Sequence, residues 1–171
     1  METKVFNFRV NELAWGWSMV TLEINGKVIN FDASYLGPEP LATFVTACAK
    51  LQDEGDKYSF TWFSEPGDLR FELSLLKNKE LSFDVIDKET GDEFSEKIPF
   101  NIFFEIVKSE AWRVLSCYGL RGYYASWCDD SDFPIASLLC ISGSFLENKG
   151  EFFGSNISEE IAMLQKNIFK G

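Results

Sequence analysis

Between Phe6 and Phe31 apolar side chains recur at every second position: Phe6, Phe8 and Val10, then Val20, Leu22 and Ile24, then Ile29 and Phe31. A period of two lines one face of an extended chain, so this stretch has to be half-buried strand. Asn25-Gly26, between the second and third runs, is a two-residue hairpin signal, because both positions of the favoured turn need positive φ. The chain therefore opens as antiparallel sheet. The same period returns in Tyr58, Phe60 and Trp62, in Leu69, Phe71, Leu73 and Leu75, and in Leu81, Phe83 and Val85, with a weaker strand near Phe94–Ile98. The connections at Glu65-Pro66-Gly67-Asp68 and Lys77-Asn78 are too short for crossovers, which makes a meander.

Elsewhere the period lengthens to that of a helix. Leu41, Phe44, Val45, Cys48 and Leu51 form one stripe, with Gly55 placed for a left-handed cap. Pro99 suits a first helical turn, and Phe103, Val107, Val114, Leu115 and Tyr118 share a face up to Gly119. Pro134 opens a stretch through Ile135, Leu138, Leu139 and Phe145 that reads as a helix, with a strand as the competing assignment. Asn156 and Glu159 resemble a capping box ahead of Ile157, Ile161, Leu164 and Ile168. The expectation is a single α+β domain over residues 1–171: an antiparallel meander of about six strands, with about four helices mainly on one face. Arg70, Glu72, Ser82 and Asp84 alternate with the inward set and belong on the sheet's outer face.

Composition restricts function more than it names one. The 17 Phe, 5 Trp and 5 Tyr supply ample core material. The first ten residues alternate polar with apolar and resemble no signal peptide, and no run approaches the roughly 20 apolar residues of a membrane helix. A soluble, cytoplasmic protein is expected. Its net charge of −11 opposes direct nucleic-acid binding, which needs Lys and Arg against phosphate, and suits either a basic partner or simple solvation. Cys48, Cys117, Cys128 and Cys140 show no metal-site spacing and read as reduced thiols, mostly core.

Histidine is absent, which removes every His-dependent triad and zinc site. No phosphate-cradling, dinucleotide or nucleophile-elbow pattern is present. Neither a cofactor nor a metal is expected. A carboxylate enzyme or carbohydrate-binding module would centre on Glu65, with the aromatic stretch Tyr58–Phe63 as a stacking wall. Against it, the simpler reading is that Glu65 begins a β-turn and that the rings are core and sheet surface. Asp129, Asp130 and Asp132 are the densest acid cluster, but they lack the glycine and closing glutamate of an EF-hand loop. Tyr123, Tyr124 and Trp127 immediately precede them. Rings beside charge have the composition of an interface hot spot, while burial over a helix end is the simpler reading. Trp15 and Trp17, around Gly16, are a second candidate surface. A homo-oligomeric structural protein is a third class.

The Trp-containing opening hairpin, the Ser34-Tyr35 step into a helix, and the aromatic strand ending in Glu65-Pro66-Gly67 before a two-strand meander resemble bacterial immunity proteins that accompany polymorphic toxins, those paired with wall-associated toxins most of all. The likeness covers roughly residues 5–86. It implies a cytoplasmic protein that binds and blocks a cognate toxin domain, often a basic nuclease, without turnover. Glu65, Pro66 and Gly67 match as turn-forming residues, and the resemblance carries over no inhibitory residue.

Overall fold

The computed structural model describes residues 5–51, 55–65, 67–128, 131–144, 162 and 164–166. Strands β1 (Phe6–Ala14), β2 (Trp17–Ile24) and β3 (Lys27–Ser34) are joined by two-residue turns at Trp15-Gly16 and Asn25-Gly26. After β3 comes helix α1 (Pro40–Lys50), then β4 (Lys57–Trp62), the two-residue β5 (Ser64–Glu65), β6 (Leu69–Leu75), β7 (Glu80–Asp87) and β8 (Glu93–Pro99). Helix α2 (Phe100–Ser126), helix α3 (Ile135–Leu139) and a π-helical turn (Cys140–Ser144) follow, and residues 162 and 164–166 are helical.

The α+β antiparallel architecture is present, with its strands divided between two sheets, β1-β2-β3-β5 and β4-β6-β7-β8. The division follows from where α1 sits. Seven of its eleven residues are buried, including Leu41, Phe44, Val45 and Cys48, so it needs apolar surface on more than one side. The Phe44 ring supplies the reason the parts meet. Phe6 and Phe8 of the first sheet, Phe60, Trp62, Phe71 and Phe83 of the second, and Phe103 of α2 all have ring centroids 4.8–6.3 Å from it. Phe31 stacks on Trp62 at 4.8 Å and ties β3 to β4.

Helix α2 closes the free edge of β1 with side chains in place of a neighbouring strand. A bulge between Val10 and Glu12 turns the strand here. The Val10 N–H donates to Glu110 Oε1 at 2.7 Å, Arg113 Nη2 donates to the Val10 carbonyl at 2.6 Å, and the Leu13 N–H donates to the Tyr118 hydroxyl at 3.1 Å. Arg113 also grips the buried Glu110 carboxylate through Nε and Nη2, at 2.7 and 2.6 Å, and Arg9 reaches it at 3.3 Å. An edge dressed in this way offers no ladder to a foreign strand.

Several expectations change. Helix α1 stops at Lys50 with Leu51 as its cap, because the Leu51 N–H returns to the Ala47 carbonyl. Gly55 instead belongs to the entry of the second sheet, its N–H donating to the Leu75 carbonyl. Gly119 does break α2, at φ 64 and ψ 175, but the helix resumes beyond it through Ser126. Between Pro134 and Phe145 the described residues 135–144 are helical, so the strand assignment falls. The capping-box positions Asn156 and Glu159 lie outside the described residues. Of the four cysteines Cys48 alone is buried; Cys117 and Cys128 are exposed and Cys140 is intermediate, so the expectation of mostly core thiols is corrected.

Phe44→Ala should therefore loosen both sheets at once and lower stability by about 3–5 kcal/mol in urea unfolding. Glu110→Ala should cost about 3–5 kcal/mol, because it leaves Arg113 without its counter-ion and the Val10 N–H without its acceptor. Glu105→Ala, which removes only the exposed pair with Lys108, is the control and should change stability by about 0.5 kcal/mol or less.

Candidate functional site

Three chain segments converge at the end of the molecule where β1 turns into β2. The Gly16 N–H donates to the Ser126 carbonyl and the Tyr35 N–H donates to the Gly16 carbonyl, both at 2.8 Å. Gly16 is obligatory here. Its φ is +77°, and a Cβ would lie 2.8 Å from Tyr35 Cδ1 and 3.3 Å from Cys128 Sγ. The hairpin tip is thus fastened to the end of β3 on one side and to the end of α2 on the other.

Both hairpin turns of the first sheet have the type I′ pattern, with φ of 50° and 83° at Asn25-Gly26 and 56° and 77° at Trp15-Gly16. Asn at the first position tolerates the left-handed region because its short polar side chain bonds locally. Trp15 has no such help. It occupies the same conformation with its side chain 86% exposed. Around it stand Tyr35 and Leu36, both exposed, Leu36 at 73%. The strip continues through Gly37, where a Cβ would overlap the Phe63 ring, to Phe63, which is itself exposed. Trp17 is half-buried opposite Ser34, and Met19, two residues on, is exposed on the outward face of the sheet opposite Asp32. Tyr124 and Leu120 are exposed one turn apart on the second part of α2.

The other aromatic candidates are corrected by burial. Tyr123, on α2, and Trp127, the residue that caps its end, face inward, and Tyr123 packs edge-on against Phe133 at 5.1 Å. They close the core over the helix end and present no ring to a partner. Asp132 is exposed, whereas Asp129 and Asp130 lie outside the described residues. The stacking wall proposed beside Glu65 is also dismantled: Trp62 is fully buried, and Tyr58 and Phe60 are half-buried against the core. Phe63 alone of that stretch's rings is exposed. Among the described residues no group of three Asp, Glu or Cys is placed to hold a metal, and no helix is long and apolar enough to cross a membrane.

Sequence reasoning passed over Glu39. It is the N-cap of α1 and its carboxylate accepts from the Leu41 N–H at 2.8 Å and from the Ala42 N–H. The available signal was an acidic residue directly before a proline at the first helical position. Burial pushes its carboxyl up to about 7, against the opposing pull of the Tyr123 hydroxyl and the two backbone N–H groups. Burial and the neighbouring Glu39 charge in turn hold the Tyr123 hydroxyl well above its ordinary value. The hydroxyl faces the carboxylate without a closed hydrogen bond, and the Trp127 indole N–H is likewise buried without an acceptor. Glu39 borders an open cleft of about 370 Å³, walled also by Thr43, Thr46, Tyr58 and Asp132.

No protein-family model, curated protein or solved structure matches the chain.

The raised value at Glu39 fixes the sign of a pH effect. The folded state holds this proton more tightly than the unfolded chain, whose carboxyl keeps the ordinary value of 4.5. The contribution is fully present below pH 4.5 and is lost as pH rises through about 7. Its size is on the order of 3 kcal/mol, by the free-energy equivalent of a pKa difference. Urea unfolding from pH 4.5 to 8 should show this decline, and Glu39→Gln should flatten it.

Proposed function

We propose that the chain is a non-catalytic protein-binding domain that offers Trp15 to its partner, and that it acts as an immunity protein, blocking a basic bacterial toxin by direct contact in the cytoplasm. One observation carries the reading: a bulky ring fills a turn position suited to Asn or Gly and stands almost wholly in water. The left-handed conformation costs a non-glycine residue roughly 1–2 kcal/mol, and an exposed indole contributes little burial to offset it. A residue that the fold does not need, held where the fold disfavours it, points to a use outside the fold.

The surroundings suit that use. Binding affinity is lost to ordering, and a tip fastened by two backbone hydrogen bonds has little order left to gain. Tryptophan and tyrosine are the side chains most often found at the centre of interfaces, ringed by polar residues. Glu12 and Asp32 are exposed on the same sheet as Trp15, and the net charge of −11 steers a basic partner towards it. The resemblance of residues 5–86 to immunity proteins supplies the partner class.

Trp15→Asn separates function from folding, because it removes the ring while restoring the residue that the turn prefers. The variant should be about 1 kcal/mol more stable in urea unfolding. A basic partner retained by the wild-type chain from its native host should bind the variant about 30-fold or more weakly in calorimetry, the effect of a hot-spot residue worth 2 kcal/mol. Equal affinity would remove Trp15 from the interface. A self-associating wild-type chain in light scattering, converted to monomer by Trp15→Asn, would assign the surface to a second copy instead.

A further inference from the structure

Between Lys27 and Phe31, strand β3 is the outer strand of the first sheet, because β5 pairs only with Asp32 and Ala33. The Ser34 N–H donates to the Phe63 carbonyl on the β5 side. Backbone groups alternate in direction along a strand, so Asp32, Asn30 and Val28 aim theirs to that same side. At Asp32 they meet β5. At Val28 and Asn30, among the described residues, the N–H and C=O on this side have no partner.

Burial falls away along the same line. On the inward face of β3, Ala33 and Phe31 are buried, whereas Ile29, beyond the reach of β5, is half-buried. Phe94 of β8, whose ring centroid lies 4.3 Å from Lys27 Nζ at this end of β3, is half-buried too. On the outward face Val28 is 56% exposed. Two other edges show how this fold protects itself. That of β1 is closed by Glu110, Arg113 and Tyr118 of α2. Strand β8 exposes Glu93, Ser95 and Lys97 in alternation and ends in Pro99, and charges and proline discourage pairing. The run Val28-Ile29-Asn30-Phe31 has neither.

Unpaired N–H and C=O groups at strand spacing specify what fits them: another extended polypeptide. The charge around them specifies its sign. Glu23, opposite Val28 in the β2–β3 register, and Asp32 share the outer face of the sheet, and the chain as a whole carries −11. The cations of this face are already engaged, Lys27 with the Phe94 ring and Arg9 with Glu110.

We propose that the free edge of β3 between Lys27 and Phe31 accepts an extended, basic segment of a partner polypeptide as an added strand, antiparallel like every pair in this sheet. Its apolar residues would cover Ile29 and Phe94, and its lysines or arginines would stand on the outer face near Glu23 and Asp32. This edge lies towards the Asn25-Gly26 turn, at the other end of the sheet from Trp15, and its test needs only this chain and a defined peptide, so it stands or falls independently of the proposed function.

Amide hydrogen exchange on the chain alone is the first arm. Val28 and Asn30 should exchange rapidly while Ile29 and Phe31, bonded to β2, are protected. Equal protection of all four would overturn the proposal, since the edge would then be covered by the chain itself or, if the protection grows with protein concentration, by a second copy. The second arm is an NMR titration with a capped pentapeptide in which valine alternates with lysine, beginning and ending with valine. Saturable binding that protects the Val28 and Asn30 amides is expected. The lysines are the residues whose N–H groups would face β3, so N-methylating them should abolish binding, and N-methylating the valines should leave it. Glutamate in place of lysine should also abolish it. Asn30→Pro, which removes one edge-facing N–H and leaves the β2 pairing intact, should weaken binding about tenfold or more. No saturable binding, binding indifferent to lysine N-methylation, or equal binding of the glutamate peptide would overturn the proposal.

Discussion

The contact on which the rest of the structure depends is the seat of Phe44. An eleven-residue helix is too short to hold its shape in water, so α1 exists because its apolar sides are taken up by other elements. Phe44 is the ring through which both sheets and α2 reach it, in mostly edge-to-face geometry that favours the aromatic quadrupoles. Removing that ring would leave the sheets facing each other across a void. The same insertion sets the position of Glu39, since a helix pressed into the core carries its N-cap there too. The Glu110–Arg113 pair is the complementary device at the edge of β1, where polar side chains finish a strand edge that burial would otherwise leave unpaired.

Much of this architecture was legible in the sequence, because the period-two and helical stripes report burial directly. The alternation through Phe6–Val10, Val20–Ile24 and Leu69–Val85 corresponds to inward faces in β1, β2, β6 and β7. The pairing of strands into two sheets was not legible. It follows from where α1 sits, and β5, the two residues that pair with Asp32 and Ala33 at the edge of the first sheet, is too short to have a periodicity to read. Aromatic residues were the weak point in finding a site. Tyr123, Tyr124 and Trp127 look alike in sequence, yet helical phase buries the first and last and leaves Tyr124 exposed. Trp15 was legible as a candidate, but its significance lay in a backbone angle that becomes visible only once the turn is formed.

The two hairpin tips of the first sheet form an internal comparison. Asn25-Gly26 satisfies the local rules: the Asn25 side chain accepts from the Val5 N–H and donates to Glu96, and neither turn residue carries a large apolar side chain. Trp15-Gly16 follows the same backbone path with a side chain unsuited to it and a glycine that no other residue could replace. A chain selected for stability alone would have two tips like the first. The difference is the physical cost on which the proposed binding role of Trp15 rests.

Strain at Trp15 persists only if the tip is rigid in the free protein, and amide hydrogen exchange measures this directly. The Gly16 and Tyr35 amides, which close the two hydrogen bonds that fasten the tip, should be protected to a degree comparable with Val20 in the middle of β2. Exchange at the rate of an open loop would contradict the account, since a mobile tip would relax the backbone of Trp15 and remove the strain from which its function is inferred.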